Sequence, residues 1–400
     1  MKCVLFDDAK WSNFFPITLT RSIGDLRVGI LKLRQRISAY LDMIISNVIV
    51  SSQLEAIYKE RHKDWQVNEL EAVDTIFVNS RLKIDEKVKK QILALQKGEC
   101  LIKDNVILAA RLQPKKGKYQ AESVEKIFSD LTKIEPSEIG YWKYLWDLIQ
   151  ANSHYINRDF NYFFYEKDNY FETELGTTVI NPYNVWIGEG TVIKPGVVID
   201  AADGPVVLDE NVTILSNSVI IGPVYIGKGS TIKSGAKIYA GTSIGPVCKI
   251  GGEIEETIFQ GYSNKQHDGF LGHSYLGEWI NIGAGTNNSD LKNNYQTVAA
   301  YFYPENKKID TKGNFLGTII GDHSKTGINA TINTGTVIGV GCSLFGSELI
   351  RDHKPSFSFG TGSKTVKYTV TEFLETAALV KKRRGLDLSG SEKELYSQID

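Results

Sequence analysis

Residues 208–250, LDENVTILSNSVIIGPVYIGKGSTIKSGAKIYAGTSIGPVCKI, carry an aliphatic side chain at every sixth position. The series consists of Leu208, Ile214, Ile220, Ile226, Ile232, Ile238, Ile244 and Ile250. The same spacing appears at Ile187, Ile193 and Ile199, at Phe270, Leu276 and Ile282, and at Ile332, Ile338 and Leu344. This period matches neither a helix nor a simple alternating strand, but it fits short strands joined by tight turns in a β-solenoid. We therefore predict a solenoid in which each of these side chains points inward.

Glycine often follows the aliphatic residue, as at Gly227 and Gly245, and supplies the backbone conformations that tight corners need. The pattern resembles the left-handed parallel β-helix of hexapeptide-repeat acyltransferases, in which three hexapeptides form one triangular coil. An ordinary β-sandwich with coincidental spacing is the alternative.

The remainder of the chain lacks this period. Apolar runs such as Cys3–Phe6 and Thr75–Val78 alternate with helix-like segments such as Glu86–Leu95, which predicts an α/β domain with a mainly parallel sheet. Toward the other end, TEFLETAALVKKRRG predicts a helix with cations in its last turn, and a phosphate-binding role for KKRR is the alternative. The predicted sections are an α/β domain (1–130), an aromatic-rich, partly helical junction (131–172), the β-helix (173–365) and a helical tail (366–400).

Composition narrows the class of partner. The chain has 46 basic and 47 acidic residues, so no charge excess points to nucleic acid or to an anionic membrane. Four widely spaced cysteines form no zinc motif and fit a reducing compartment. No apolar run is long enough for a membrane span, and acidic residues interrupt the first apolar stretch. We expect a cytoplasmic protein with a small-molecule partner.

A second motif concerns chemistry. HDGFLGHSYLGEWINIGAGT, residues 267–286, resembles without a gap the active-site stretch of the acetyltransferase domain in the family of bifunctional glucosamine-1-phosphate N-acetyltransferases and N-acetylglucosamine-1-phosphate uridylyltransferases. In that family a histidine fourteen residues before the Asn of N-I-G-A-G-T acts as the base. Counting back from Asn281 gives His267 and not His273. Histidine is suited to this work because its ordinary pKa lies near neutral pH.

The resemblance also implies roles for other residues. Asn281 is expected to position the sugar or the imidazole, and Glu253 to orient His267. Ala284, beside Gly283, leaves room for the pantetheine arm of acetyl-CoA and offers a backbone N–H to the thioester oxygen. Lys364 is a further candidate for binding this co-substrate. The candidates for binding the acceptor are Lys237, Glu255, Phe270 and Asp290.

Glu255 departs from the family pattern. The gapless comparison places it where the bifunctional enzymes carry a lysine that contacts the sugar phosphate. The charge is therefore reversed at this position. We expect either an acceptor without a phosphate there, or replacement of the missing lysine by cations of the irregular stretch 287–316. That stretch interrupts the repeat, and such an excursion is typically a functional loop.

The first domain has a resemblance of its own. PITLTRSIGDLRVG, residues 16–29, is similar to the segment that follows the phosphate loop in sugar nucleotidyltransferases. The glycine-rich turn that cradles nucleotide phosphates is replaced by FDDAKWSNFF, which contains no glycine. Arg21 and Arg27 are the remaining candidates for holding phosphates, and Asp7 with Asp8 for holding Mg²⁺. We expect Mg²⁺ only if this domain is active, and no metal in the acetyltransferase site.

Across nearly its whole length the chain resembles a shortened form of that bifunctional family. The resemblance implies an acetyl-CoA-dependent acetyltransferase that acts on an amino sugar or sugar phosphate, as in UDP-N-acetylglucosamine biosynthesis, with a first domain of at best weak activity. It also implies a homotrimer, since cyclic symmetry closes such contacts.

Three alternatives stay open. One is a sugar-1-phosphate nucleotidyltransferase that makes a nucleotide sugar. Another is a zinc enzyme of the trimeric β-helical carbonic anhydrase kind, with His267, His273 and His323 as ligands. The third is a non-catalytic β-helical binding module.

Overall fold

The computed structural model describes residues 2–170 and 175–399. The predicted boundary between residues 172 and 173 lies outside the described residues. Contacts divide the chain into two compact units, which we call the first unit (residues up to 26, 31–145 and 389–399) and the second unit (27–30 and 146–388).

The first unit is built on a mixed sheet. In sheet order the described strands are Thr132–Ile134, Glu99–Lys103, Val106–Leu112, Thr75–Asn79, Lys2–Phe6, Asn47–Ile49 and Gln66–Val67. Pairing is parallel except on both sides of Val106–Leu112, where it is antiparallel. The predicted α/β domain is confirmed. Shorter strands are Leu31–Lys32, Glu69–Leu70, Leu82–Lys83, Gly117–Lys118 and Gly140–Tyr141.

The first unit also contains helices. They are Leu33–Leu41, Glu55–Arg61, Glu86–Ala94 and Gly390–Ile399, with short 3₁₀ helices at Trp11–Phe14, Ile17–Leu19, Ile23–Asp25, Ser52–Leu54 and Val124–Phe128. The helix Glu86–Ala94 begins where predicted because the Asp85 carboxylate accepts the N–H of Val88 at 2.8 Å, which satisfies a free donor of the first turn. Phe6, Phe77 and Phe128 pack together in the core.

The second unit contains the solenoid, whose described strands form three faces. The first face holds Thr178–Ile180, Val198–Asp200, Val219–Ile221, Lys237–Ile238, Glu253–Glu255 and Phe270–Gly272. The second holds Val185–Ile187, Val206–Leu208, Val224–Ile226, Thr242–Ile244, Ile258–Gly261, Tyr275–Glu278, Thr318–Ile320, Thr336–Ile338 and His353–Lys354. The third holds Val192–Ile193, Thr213–Ile214, Thr231–Ile232, Lys249–Ile250, Asn264–Lys265, Lys325–Thr326, Ser343–Leu344, Ser358–Gly360 and Thr365–Lys367.

Register explains the six-residue period. Leu208 pairs with Ile226, and Ile226 with Ile244, so one coil takes eighteen residues, or three hexapeptides. All members of the series between Leu208 and Ile250 are fully buried in one continuous core. The predicted parallel β-helix and its inward aliphatic side chains are confirmed for this stretch.

The period changes after Ile250. This residue pairs with Lys265, only fifteen residues on, so the coil between them is shorter than the eighteen-residue coils before it. As a result Leu271 takes the inward position and Phe270 stands half-buried on the outer surface, contrary to the predicted inward placement of Phe270. Leu276 and Ile282 do belong to the core.

The excursion between residues 287 and 316 leaves the solenoid and returns to it. Leu276 pairs with Ile320, forty-four residues on, and the interposed chain includes an antiparallel hairpin of Ala299–Phe302 and Lys307–Asp310. Within the hairpin region the ring of Tyr301 stacks on His353, with centroids 3.7 Å apart. The excursion is therefore folded against the solenoid. Other short elements are Arg27–Val28, Asn287–Asn288, Thr331–Ile332 and the 3₁₀ turns Pro182–Asn184 and Tyr303–Glu305.

Two longer helices complete the second unit. Leu145–Phe163 precedes the solenoid, and Val370–Lys382 follows it. Thr369 caps the second helix by accepting the N–H of Glu372 at 3.3 Å, and Gly385 follows with a φ of 70°. Among the helices of the described residues, none combines the length and the apolar character needed to cross a membrane.

Candidate active site

His267 lies at a corner of the solenoid, between the third-face strand Asn264–Lys265 and the first-face strand Phe270–Gly272. Its side chain is exposed, while its carbonyl oxygen accepts a hydrogen bond from Lys265 Nζ at 2.7 Å. Among the described residues, no hydrogen bond is made to the imidazole. The ring is therefore available to a ligand.

The N-I-G-A-G-T segment, residues 281–286, lies in the next coil, at the same part of the third face. Asn281 makes a bridge to Asn264 on one side and to Lys325 on the other. The N–H of Gly283 donates to Thr326 Oγ1 at 3.0 Å, and that of Gly285 donates to Asp268 O at 3.0 Å. The N–H of Ala284, by contrast, has no acceptor within the part of the chain that the structure describes. It is thus free to donate to a bound carbonyl, as the resemblance implies.

These two segments line one cleft of about 230 Å³, which we call the His267 cleft. It contains four of the predicted residues, namely His267, Asn281, Gly283 and Ala284. The other lining residues are Asn264, Gln266, Ile282 and Ile328. Lys364 is not among them; it lies in the turn before the last strand of the third face.

The acceptor candidates lie mainly on the first face. Lys237, Glu253 and Phe270 stand opposite one another on successive strands, so their side chains form one row. Glu255 is half-buried in the same strand as Glu253. The described residues show no hydrogen bond between the Glu253 carboxylate and the His267 imidazole. Orientation of His267 by Glu253 therefore remains a prediction.

His273 is held by its neighbours. It has a φ of 45°, its Nδ1 lies 2.8 Å from Asp290 Oδ2, and its ring stacks on Phe315 with centroids 4.7 Å apart. The candidate Asp290 is thus engaged with His273. Near His273, burial raises the pKa of Glu256 to about 7. The charge of His273 opposes this rise in pKa, and the charge of Glu255 adds to it.

A larger pocket of about 390 Å³ adjoins the His267 cleft and shares Asn264, Gln266 and Asn281 with it. We call it the basic pocket because its lining includes Lys249, Lys325, Arg383 and Arg384. Its remaining lining residues are Tyr262, Trp279, Ile280 and Val380. Sequence reasoning missed most of this pocket; its only signal was KKRR, for which a helix end was favoured over a phosphate-binding role.

The charges of the basic pocket are not neutralised internally. Arg384 Nη2 donates to Asn264 Oδ1 at 2.9 Å, which is a neutral partner. No carboxylate pairs with any of the four cations in the described parts of the chain. Burial lowers the pKa of Lys325 to about 8, so its positive charge is costly there without an anion. Tyr262 and Trp279 stack with centroids 4.6 Å apart.

The predicted phosphate-binding arginines are both buried. Arg21 is 4% exposed in the first unit. Arg27 is 5% exposed in the second, where its guanidinium lies over the ring of Tyr225 at 5.2 Å and its main chain bonds the hydroxyl of Tyr275. Such burial disfavours direct contact with a phosphate.

The acidic pair that follows the first strand is also engaged. Asp8 forms a buried ion pair with Arg81, whose Nε donates to it at 2.9 Å, and the Asn79 amide donates to the same oxygen. Asp7 accepts from Ser22 Oγ at 2.9 Å, and burial raises the pKa of Asp7 to about 7. The described residues hold no group of three or more His, Cys, Asp or Glu placed to bind a metal.

Comparisons with known proteins agree with this architecture. Residues 3–167 match the family described as sugar nucleotidyl transferase, and residues 205–240 match the bacterial transferase hexapeptide family. Two segments of the chain are thus similar to these families, and the predicted fold class, including the left-handed β-helix, is confirmed.

The particular relatives are bifunctional proteins. The chain is 28% identical over 178 residues to bifunctional protein GlmU of Synechococcus sp. strain CC9311, covering 44% of this chain and 34% of the relative. It is 28% identical over 201 residues to GlmU of Synechococcus elongatus, covering 45% of this chain and 40% of the relative. The match spans between a third and two fifths of the length of these curated relatives. These relatives confirm the predicted resemblance to that bifunctional family.

One solved structure is a weaker match. The UDP-N-acetylglucosamine acyltransferase of Francisella novicida shares 17% identity, over 54% of this chain and 71% of that one, at a TM-score of 0.31.

The first testable prediction concerns Arg81. Replacement by Met leaves the buried carboxylate of Asp8 without its charged partner, which typically costs about 3–5 kcal/mol. We expect Arg81→Met to lower the free energy of unfolding of the first unit by that amount, measured by urea denaturation. The matched control is Arg111→Met, which breaks the partly exposed pair with Asp74 and should cost about 1 kcal/mol or less. Equal stabilities of the two variants would contradict the structural role of Arg81.

Proposed function

We propose that the second unit is an acetyltransferase that moves an acetyl group from acetyl-CoA to the amine of an amino sugar or amino sugar phosphate. The observation that carries this proposal is the His267 cleft, which gathers His267, Asn281 and Ala284 from two successive coils. Its geometry offers a free imidazole and a free backbone N–H within one small cavity. The GlmU relatives support the same class of reaction.

The chemistry follows from those groups. The acceptor nitrogen attacks the thioester carbon, so an N–C bond forms and the C–S bond breaks. His267 takes the proton that the amine loses and can return it to the departing thiolate of coenzyme A. The Ala284 N–H donates to the carbonyl oxygen as negative charge develops on it. Asn281, exposed beside the imidazole, can orient the amine or the ring.

The basic pocket supplies a place for the phosphates of the acetyl donor. Its four cations lack carboxylate partners within the described residues, and the pocket opens next to the cleft where the thioester reacts. Phosphate oxygens bind cations by charge-assisted hydrogen bonds. Ile328, 71% exposed at the rim of the cleft, fits the further expectation that a neighbouring copy in a homotrimer covers this edge.

A nucleotidyltransferase activity of the first unit is the second candidate, because residues 3–167 match a sugar nucleotidyl transferase family. The glycine-free segment and the internal pairing of Asp8 argue for at best a weak activity. Mg²⁺ belongs to this candidate only.

The second testable prediction separates the two histidines. His267→Ala should lower kcat by about 10²–10⁴-fold, the usual contribution of a general base. The fold should persist, because the inward aliphatic side chains carry the stability. Rates are measured as release of free thiol from acetyl-CoA with a panel of amino sugars.

His273→Ala is the matched control for this experiment. Its imidazole is committed to Asp290 and Phe315, so the variant should lose far less activity than His267→Ala. A greater loss in the His273 variant would show that the comparison is out of register.

The third prediction tests the basic pocket. Arg383→Ala should raise KM for acetyl-CoA by about tenfold or more, as expected for a lost hydrogen bond between charged groups, with kcat little changed. With S-acetyl-N-acetylcysteamine, a donor that has the thioester but no phosphates, the same variant should behave like the native protein.

The exposed Lys382, which is one residue away and does not line the pocket, provides the control. Lys382→Ala removes the same charge from the same helix end and should leave both donors unaffected. An equal effect of Arg383→Ala on both donors would refute the assignment of phosphates to this pocket.

The fourth prediction concerns the acceptor. A phosphate about 4 Å from the Glu255 carboxylate meets a repulsion of about 1 kcal/mol in water and about 4 kcal/mol at an effective dielectric constant of 20. We therefore propose that the acceptor carries no phosphate at this position. The native protein should prefer a free amino sugar over its 1-phosphate, and Glu255→Lys should improve use of the phosphate.

Initial rates with both acceptors decide this prediction. Glu189→Lys, at an exposed corner of the solenoid, controls for the change in net charge. If the native protein prefers the phosphate and Glu255→Lys does not increase that preference, Glu255 does not select the acceptor.

A further inference from the structure

A lysine side chain occupies the interior of the solenoid. Lys265 pairs with Ile250 of the preceding coil, so it stands at an inward position that aliphatic residues fill elsewhere. It is 1% exposed and is one of the largest fully buried side chains of the described chain. Burial of an ammonium group is unfavourable unless it is well hydrogen-bonded, so its presence calls for a reason.

The ammonium group is bound by backbone carbonyls. Nζ donates to the carbonyl oxygen of His267 at 2.7 Å and to that of Gly251 at 3.3 Å. Gly252, with a φ of 76°, makes room for this arrangement: a Cβ atom there would lie 2.7 Å from Nζ and 2.8 Å from the His267 oxygen. Lysine, glycine and the two carbonyls therefore form one packed unit beneath the His267 corner.

No carboxylate forms an ion pair with Lys265 in the described residues. Burial lowers the pKa of Lys265 to about 8, and the charge of Asp268 opposes that shift. An aliphatic residue would avoid this cost but would leave the inward carbonyl of His267 buried without a donor. The lysine is thus matched to the backbone of this one corner.

We propose that Lys265 is a positioning residue, which orients the His267 side chain by fixing the peptide plane on its carboxyl side. With that carbonyl turned inward to Nζ, the imidazole is directed outward at the His267 cleft. The catalytic consequence rests on the proposed function; the orientation itself does not.

The fifth prediction begins with Lys265→Met, which keeps an unbranched side chain, one atom shorter, and removes the donor. We expect kcat to fall by about 10–100-fold, by analogy with the loss seen when a group that orients a metal-binding side chain is removed, with both KM values within about twofold. Lys265→Gln, which retains an N–H donor, should keep more activity than the Met variant. Ile250→Met is the matched control, because it alters the same inward position one coil earlier, and it should retain native kcat.

A double-mutant cycle distinguishes positioning from a general structural effect. If Lys265 acts through His267, Lys265→Met should cause no further loss in the His267→Ala background. An equal factor in both backgrounds would overturn the proposal.

A measurement without turnover keeps this inference separate from the proposed function. The NMR signal of the His267 imidazole, assigned by its disappearance in His267→Ala, should shift or broaden in Lys265→Met and not in Ile250→Met. An unchanged signal in Lys265→Met overturns the positioning role even if acetyl transfer is observed. Failure of the native protein to transfer acetyl groups would refute the proposed function alone.

Discussion

The stacking of inward side chains from coil to coil, at an eighteen-residue register between Leu208 and Ile244, is the constraint on which the second unit depends. Each coil can bury its interior only against the coils next to it, so the corners of successive coils must lie above one another. This is why His267 and the N-I-G-A-G-T segment, which belong to successive coils, meet in one cleft. The packing of the core thereby determines which outward-facing side chains can come together in a site.

The regular part of this fold could be predicted from the sequence because an aliphatic residue at every sixth position shows which side chains point into the core. The prediction failed for Phe270, where a shorter coil moves the inward position to Leu271. A lysine is normally expected at the surface, so the buried position of Lys265 carried no recognisable signal. The pairing of Lys265 with Ile250 and its exposure of 1% identify this position.

The sequence could predict those residues of the candidate site that lie close together in the chain. His267 and Asn281 lie in one motif, and the structure brings both into the cleft. The basic pocket combines Lys249, Lys325 and Arg383, which are far apart in sequence and come together only through the third face and the helix that ends there. In the first unit, no pattern in the sequence indicated that Asp8 is paired with Arg81.

The forty-four-residue connection between Leu276 and Ile320 has a consequence for how this fold can vary. The entropy lost in closing a flexible loop grows only with the logarithm of its length, by about 0.6 kcal/mol for each doubling. A coil lengthened well beyond eighteen residues therefore adds only about 1 kcal/mol to the closure term, provided that the returning strand regains its register. Segments of different length and composition can therefore be exchanged at this corner while the core of the solenoid is preserved. The surface around His273, to which Asp290 and Phe315 of the excursion contribute, can thus change independently of the solenoid.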